Sequence, residues 1–122
     1  MSNIDIAKQS FLAYVNSDRE SNEAVIAREF RFTSPLDNQI DRATYFDRCW
    51  PNNEAITAFK FIRLVEDDGE VIVTYEGKVK SGRTFRNTEI LTVKDGKIQQ
   101  VEVYFGWDVP HRAPKGGFVT ET

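Results

Sequence analysis

The apolar positions change period partway along the chain. Ile4, Ala7, Phe11, Tyr14 and Val15 recur at helical spacing, which predicts an amphipathic helix capped by Ser2 or Asn3, with Asp5 in its first turn. A polar break follows over 16–21. The spacing then predicts a second, shorter helix over 24–30, capped by Ser21 or Asn22. Phe30 and Phe32 alternate with Arg31 and Thr33 up to Pro35, which predicts a short strand. Asp41 is placed to cap a third helix carrying Ala43, Tyr45, Phe46 and Cys49. Pro51 ends it, because the residue before a proline is pushed out of the helical region.

From residue 55 the pattern becomes alternating. Four runs rich in Val, Ile, Thr, Phe and Tyr cover 55–66, 70–79, 83–93 and 97–107, and each junction ends in glycine (Gly69, Gly82, Gly96). Helices first and an antiparallel meander afterwards is the α+β pattern. A one-residue slip turns every side chain to the opposite face, so register can be argued from chemistry. A two-residue turn before Lys97 sets Glu89 against Glu102. A three-residue loop instead pairs Phe85 with Phe105, Asn87 with Val103 and Glu89 with Val101, and it puts Arg86–Tyr104 and Thr88–Glu102 on the other face. The second arrangement separates apolar from polar positions and removes the like-charge pair. The same loop at Gly82 pairs Val71 with Leu91, Val73 with Glu89 and Tyr75 with Asn87. Applied at Gly69, it adds Phe59, Phe61, Arg63 and Val65 to this inner face, although Ile62 and Leu64 would suit it equally.

Composition narrows the chemistry. The 122 residues form one domain (1–122), with an irregular tail over 108–122 that follows the composition shift at Pro110. A chain that is 40% hydrophobic and 29% charged is expected to fold rather than stay disordered. The formal net charge of −3 offers little to neutralise phosphates, so nucleic acid is not expected as a partner. A single cysteine, Cys49, and a single histidine, His111, argue against a metal centre and a conventional nucleophile–histidine triad. No secretory leader or membrane-spanning run is read, so a cytoplasmic protein with no membrane partner is expected. Aromatic residues make up 12% of the chain, enough to build a core, a ring-lined cavity, or both.

The predicted inner face is apolar except for Tyr75, Asn87, Glu89 and Arg63. A carboxylate among Val73 and Val101 loses hydration, so the Glu89 pKa should rise unless Arg63 neutralises it. Such a group suits general acid–base work or donation to an oxyanion. A structural polar network is the other reading. Asp41 reads as a helix cap and Asp37 as a turn residue after Pro35. Cys49 reads as core filler, and Trp50 and Trp107 either wall a pocket or simply pack.

The segments 11–16 (Phe-Leu-Ala-Tyr-Val-Asn), 30–35 (Phe-Arg-Phe-Thr-Ser-Pro), 41–46 (Asp-Arg-Ala-Thr-Tyr-Phe), 86–98 and 101–107 occur in this order. In that order the chain resembles the nuclear transport factor 2-like superfamily, and within it the small SnoaL-like proteins related to polyketide cyclases and ketosteroid isomerases. The resemblance implies N-terminal helices packed in a curved antiparallel sheet, a cone with a pocket at its open end, and dimers through the outer sheet face. It implies no one activity, since the superfamily includes enzymes and non-catalytic binding domains. By resemblance to the isomerases, Glu89 matches the strand acid that donates to the oxyanion, and Phe105 matches a pocket tryptophan. The general base falls at Ser34 and the oxyanion tyrosine at or near Phe11, so the same isomerisation mechanism is not expected.

Two functions follow as expectations. One is a cofactor-free isomerase, cyclase or lyase acting on a small hydrophobic or amphipathic molecule. Glu89 would be its acid/base, with Asn87, Tyr75 and Arg63 in support. Phe32, Phe46, Trp50, Phe61, Phe85, Val101, Val103, Phe105 and Trp107 would wall the pocket. The other is a non-catalytic binding or dimerising module. Glu89 locked to Arg63 in a filled cone would end the first reading, and a cavity of about 300–1,000 Å³ with a free Glu89 oxygen would support it.

Overall fold

Ser2 starts helix α1 (Asn3–Val15) through a reciprocal cap. Its hydroxyl accepts from the Asp5 backbone N–H at 3.1 Å, and the Asp5 carboxylate accepts from the Ser2 N–H at 3.3 Å. The structure is a computed structural model that describes residues 1–106. The predicted tail, with His111, and Trp107 lie outside the described residues.

Helix α2 spans Arg19–Val25, not 24–30. Asp18 caps it, accepting from the Ser21 N–H at 3.2 Å and the Ser21 hydroxyl at 2.6 Å. The segment predicted as helix is instead the start of strand β1 (Ile26–Ser34). The misreading has a geometric cause. Pairing with β6 is irregular between Ile26 and Arg31, and there Ile26, Ala27 and Phe30 are buried while Arg28 and Glu29 are exposed, a spacing that imitates a helical face rather than strand alternation. Strand β2 (Asp37–Asp41) follows as a short edge strand paired with β1, and no apolar alternation announces it. Asp41 caps helix α3 (Arg42–Arg48), its carboxylate accepting from the Thr44 N–H at 2.9 Å. Pro51 then stands in a 3-10 turn, Trp50–Ala55.

Strands β3 (Ile56–Asp67), β4 (Glu70–Val79), β5 (Thr84–Lys94) and β6 (Lys97–Phe105) form the expected meander. The sheet order is β2-β1-β6-β5-β4-β3. The curved sheet does not close, and with the helices it makes an α+β cone. One pair departs from the antiparallel expectation, since β1 runs parallel to β6.

Register decides which residues face the hollow. At β4–β5 the pairs are Val71–Leu91, Val73–Glu89 and Tyr75–Asn87, with the three-residue loop that polarity predicts. At β5–β6 the turn is the two-residue one, Asp95-Gly96, with Lys94 opposite Lys97 and both turn residues at positive φ (55° and 75°). Gln99 is then extra, because Val93 pairs with Ile98 while Thr92 pairs with Gln100. That bulge restores the parity the short turn would have lost. Glu89 faces Val103 rather than Val101 or Glu102, and the inner face stays as expected.

At β3–β4 a bulge has the opposite consequence. The turn is Asp68-Gly69, Phe61 pairs with Tyr75, and Ile62 is the extra residue before Arg63 pairs with Thr74. Phe59, Phe61 and Leu64 therefore pack on the core. Arg63 and Val65 are turned to the outer face and are exposed. The alternative in which Arg63 neutralises Glu89 is thereby set aside.

Helix α1 lies in the concave face. Phe11 makes edge contacts with Phe59, Phe61 and Tyr75 at centroid distances of 5.2, 5.4 and 4.9 Å. Ile6, Ala7, Val71, Val73, Leu91 and Ile98 complete a core with exposures of at most 2%. Among the described residues no helix is long and apolar enough to cross a membrane.

Candidate functional site

The core does not fill the cone. A cavity of about 250 Å³ remains between α1, α3 and the sheet, slightly below the usual range for ligand pockets of about 300–1,000 Å³. Of the residues predicted for a site, the structure brings together Tyr75, Asn87 and Glu89 as the polar part of its wall. Phe32, Phe85, Val101, Val103 and Phe105 join them as apolar wall.

The polar group forms a short chain. Asn87 Nδ2 donates to the Tyr75 hydroxyl at 3.1 Å, and that hydroxyl donates to Glu89 Oε2 at 2.7 Å. Strand periodicity explains the alignment. Asn87 and Glu89 are two apart on β5, and Tyr75 lies opposite Asn87 on β4. Both functions of the Tyr75 hydroxyl are thus used within the protein. Among the described residues no group hydrogen-bonds Glu89 Oε1.

Glu89 keeps some accessible surface because it borders the cavity, yet protein surrounds it. Burial raises its carboxyl from the ordinary 4.5 to about 7, and the Tyr75 hydrogen bond pulls the other way. The Tyr75 hydroxyl is pushed well above its usual range, first by burial and then by the Glu89 charge. It therefore remains a protonated donor beside a carboxyl that titrates near neutrality.

Four expected site residues lie elsewhere. Arg63 is on the outer face, as described. Phe61 packs against Phe11 in the core. Phe46 points away from the cavity, where the Arg19 and Arg42 guanidiniums lie 4.6 and 5.3 Å from its ring centre. Trp50 is buried between Tyr14 and Phe46, at 5.4 and 5.9 Å. One helical step separates Phe46 from Tyr45, and it is Tyr45 that lines the cavity.

Sequence reasoning also missed Asp37 and Tyr14. Asp37 starts β2 and borders the cavity, with Arg48 Nη2 2.9 Å from its Oδ1. The Ser34 hydroxyl donates to Asp37 Oδ2 at 3.2 Å and accepts from the Leu36 N–H at 3.1 Å. A turn after Pro35 looks the same in sequence whether its acid faces solvent or cavity, so no signal marked it. Tyr14 lies on the predicted face of α1, and its hydroxyl donates to the Cys49 carbonyl at 3.1 Å. The Cys49 thiol is raised to about 11 by burial and then by Asp37, which leaves it protonated and unreactive. Among the described residues no group of three or more His, Cys, Asp or Glu side chains is placed to share a metal ion.

Comparison with known proteins identifies the fold. No protein-family model matches the chain, and no curated protein matches it significantly. Solved structures do match. An NTF2-like protein of unknown function from Cytophaga hutchinsonii superposes with a TM-score of 0.69 at 18% identity, over 87% of this chain and 91% of that one. A candidate ketosteroid isomerase from Kribbella flavida gives 0.72 at 17% identity, over 98% and 89%. TerC, co-crystallised with polyporic acid, gives 0.70 at 17% identity, over 85% and 91%. The fold is therefore the NTF2-like α+β cone.

Proposed function

We propose that the protein binds a small, largely apolar molecule in its cavity and moves a proton on it without a cofactor, with Glu89 as the acid/base. The reaction class is isomerisation, cyclisation or elimination, each of which needs one proton taken and one returned. The observation that carries this reading is the Glu89 carboxyl itself. It borders an apolar cavity, has one oxygen that no described residue hydrogen-bonds, and is pushed up to about 7 by burial. A group with that pKa is about half ionised at neutral pH, so it takes and gives protons with similar ease. Tyr75, itself held by the Asn87 amide, holds Oε2 and leaves Oε1 to the ligand. The ring-lined wall excludes water, which strengthens these polar contacts. A candidate ketosteroid isomerase and a ligand-bound protein among the structural neighbours are consistent with this reading.

A second reading keeps the ligand and drops the chemistry. It rests on the Asn87–Tyr75–Glu89 chain, which would also satisfy these buried groups in a purely structural role. We further propose a homodimer through the outer sheet face, where Thr74, Thr88 and Tyr104 are presented.

The two readings separate on a probe reaction, the Kemp elimination of 5-nitrobenzisoxazole. A carboxylate removes the ring C–H proton, that electron pair completes a nitrile, and the N–O bond breaks to release a phenoxide. The wild-type protein is expected to accelerate the reaction, with a rate that rises through an inflection near pH 7, and Glu89→Gln is expected to abolish the acceleration. Acceleration equal in both proteins, or absent from both while tetralin still binds, overturns the catalytic reading.

A further inference from the structure

Arg19, Arg28, Asp41, Arg42, Ala43 and Phe46 line a second, open hollow that shares no residue with the cavity. Three elements supply its cations. Arg19 opens α2, Arg28 stands in β1 and Arg42 opens α3. The chain carries a net charge of −3, yet this hollow gathers three arginines and one acid. Guanidiniums brought together repel one another unless negative charge lies between them.

The protein's own acids answer part of this charge. Arg19 Nε lies 3.0 Å from Glu23 Oε1. Asp41 is committed elsewhere, since its Oδ1 accepts from the Thr44 N–H at 2.9 Å as the α3 cap and Arg31 stands opposite it across β1–β2. Among the described residues no carboxylate lies within ion-pair distance of Arg28 or Arg42. Arg42 is nonetheless held in place. Its Nη2 donates to the Glu23 carbonyl at 3.1 Å, and its guanidinium shares the Phe46 ring with that of Arg19, at 5.3 and 4.6 Å from the ring centre. Its Nε is shut off from solvent, and no described group accepts from it. A charge that has lost water without gaining a counter-charge costs free energy, and an anion beside it removes that cost. A guanidinium fixed over a ring keeps the donors on its edge in position for such an anion.

We propose that this hollow binds one phosphoryl group, that of inorganic phosphate or of a small phosphate monoester, among the guanidiniums of Arg19, Arg28 and Arg42. Donors arriving from three elements suit the several oxygens of a tetrahedral oxyanion better than the two of a carboxylate. The net negative charge of the chain disfavours an extended polyanion such as nucleic acid, so the ligand is a single small anion. The site is independent of Glu89 and of the function proposed for the cavity.

Nitrogen-15 NMR of the arginine Nε–H groups tests this, with inorganic phosphate, phenyl phosphate and acetate each titrated at pH 7.5 and constant ionic strength. Inorganic phosphate should shift the Arg19, Arg28 and Arg42 resonances to saturation. Arg28→Gln should lower its affinity about 10-fold or more, the scale of one charge-assisted hydrogen bond. Arg28 is exposed and makes no described hydrogen bond, so this variant should keep the amide spectrum of the folded wild type. Arg63→Gln, which removes a cation from the outer sheet face, should bind phosphate as wild type does. Phenyl phosphate binding more tightly than inorganic phosphate assigns the site to esters, and the reverse order assigns it to the free anion. Shifts that never saturate, an affinity unchanged in Arg28→Gln, equal losses in Arg28→Gln and Arg63→Gln, or acetate binding as tightly as phosphate each overturn the proposal.

Discussion

The Tyr75 hydroxyl donates to Glu89 Oε2 at 2.7 Å across the β4–β5 pair, and both residues line the cavity. This contact restrains the carboxyl while opposing the burial that raises its pKa. Removing the hydroxyl should let burial dominate. In Tyr75→Phe the Glu89 midpoint is expected to rise above 7, which a shift of the Kemp pH–rate inflection to higher pH would register. The lost bond should also cost about 1–2 kcal/mol of stability.

Glu89 also makes stability depend on pH. Between 4.5 and about 7 the folded protein holds a proton that the unfolded chain has released. Its contribution is fully present below 4.5, declines as pH rises through that window, and levels off above 7. The span from 4.5 to about 7 corresponds to at most about 3 kcal/mol. Glu89→Gln removes the term, so urea unfolding of both proteins at pH 5 and pH 8 should show the variant gaining on wild type at the higher pH. Arg63→Ala should leave the dependence unchanged, because Arg63 is on the outer face. A changed dependence in that variant would mean that Arg63 reaches the carboxyl.

Gly77 is where the cavity wall depends on a missing side chain. A Cβ there would lie 2.3 Å from Cζ of Phe85, its partner across β4–β5. Gly77→Ala should force the Phe85 ring to move, at a cost of about 1–3 kcal/mol. Because Phe85 borders the cavity, tetralin affinity should change together with stability. A variant as stable as wild type would show that the ring has free space.

The outer face yields a prediction about assembly. Thr74 and Thr88 join hydroxyls there at 2.9 Å, and Tyr104 is 51% exposed. Light scattering at micromolar concentration should give twice the 14.0 kDa chain mass, and Thr88→Arg should reduce it to one. A monomeric wild type contradicts the proposed dimer.

Most of the architecture was legible in the sequence because burial imposes periods. The α1 face, the four-strand meander and the Asn87–Glu89–Tyr75 grouping all follow from side-chain parity. What parity conceals is the bulge. Gln99 and Ile62 each add one residue to a strand. The first leaves the inner face unchanged, and the second removes Arg63 from it. The start of β1 is concealed in the same way, since its irregular pairing buries Ile26, Ala27 and Phe30 and exposes Arg28 and Glu29, a pattern spaced like a helix. The site residues that escaped notice, Tyr45 and Asp37, depend on how α3 and β2 are rotated against the sheet. Local sequence does not encode that rotation, and Phe46 was as good a candidate as its neighbour.

The central claim is that burial beside an apolar cavity tunes the Glu89 carboxyl to neutrality. The most direct measurement is a carbon-13 NMR titration of the glutamate side-chain carboxyls, with Glu89→Gln assigning the resonance. The account predicts a midpoint near 7 for Glu89, and a midpoint near 4.5, the ordinary glutamate value, would contradict it.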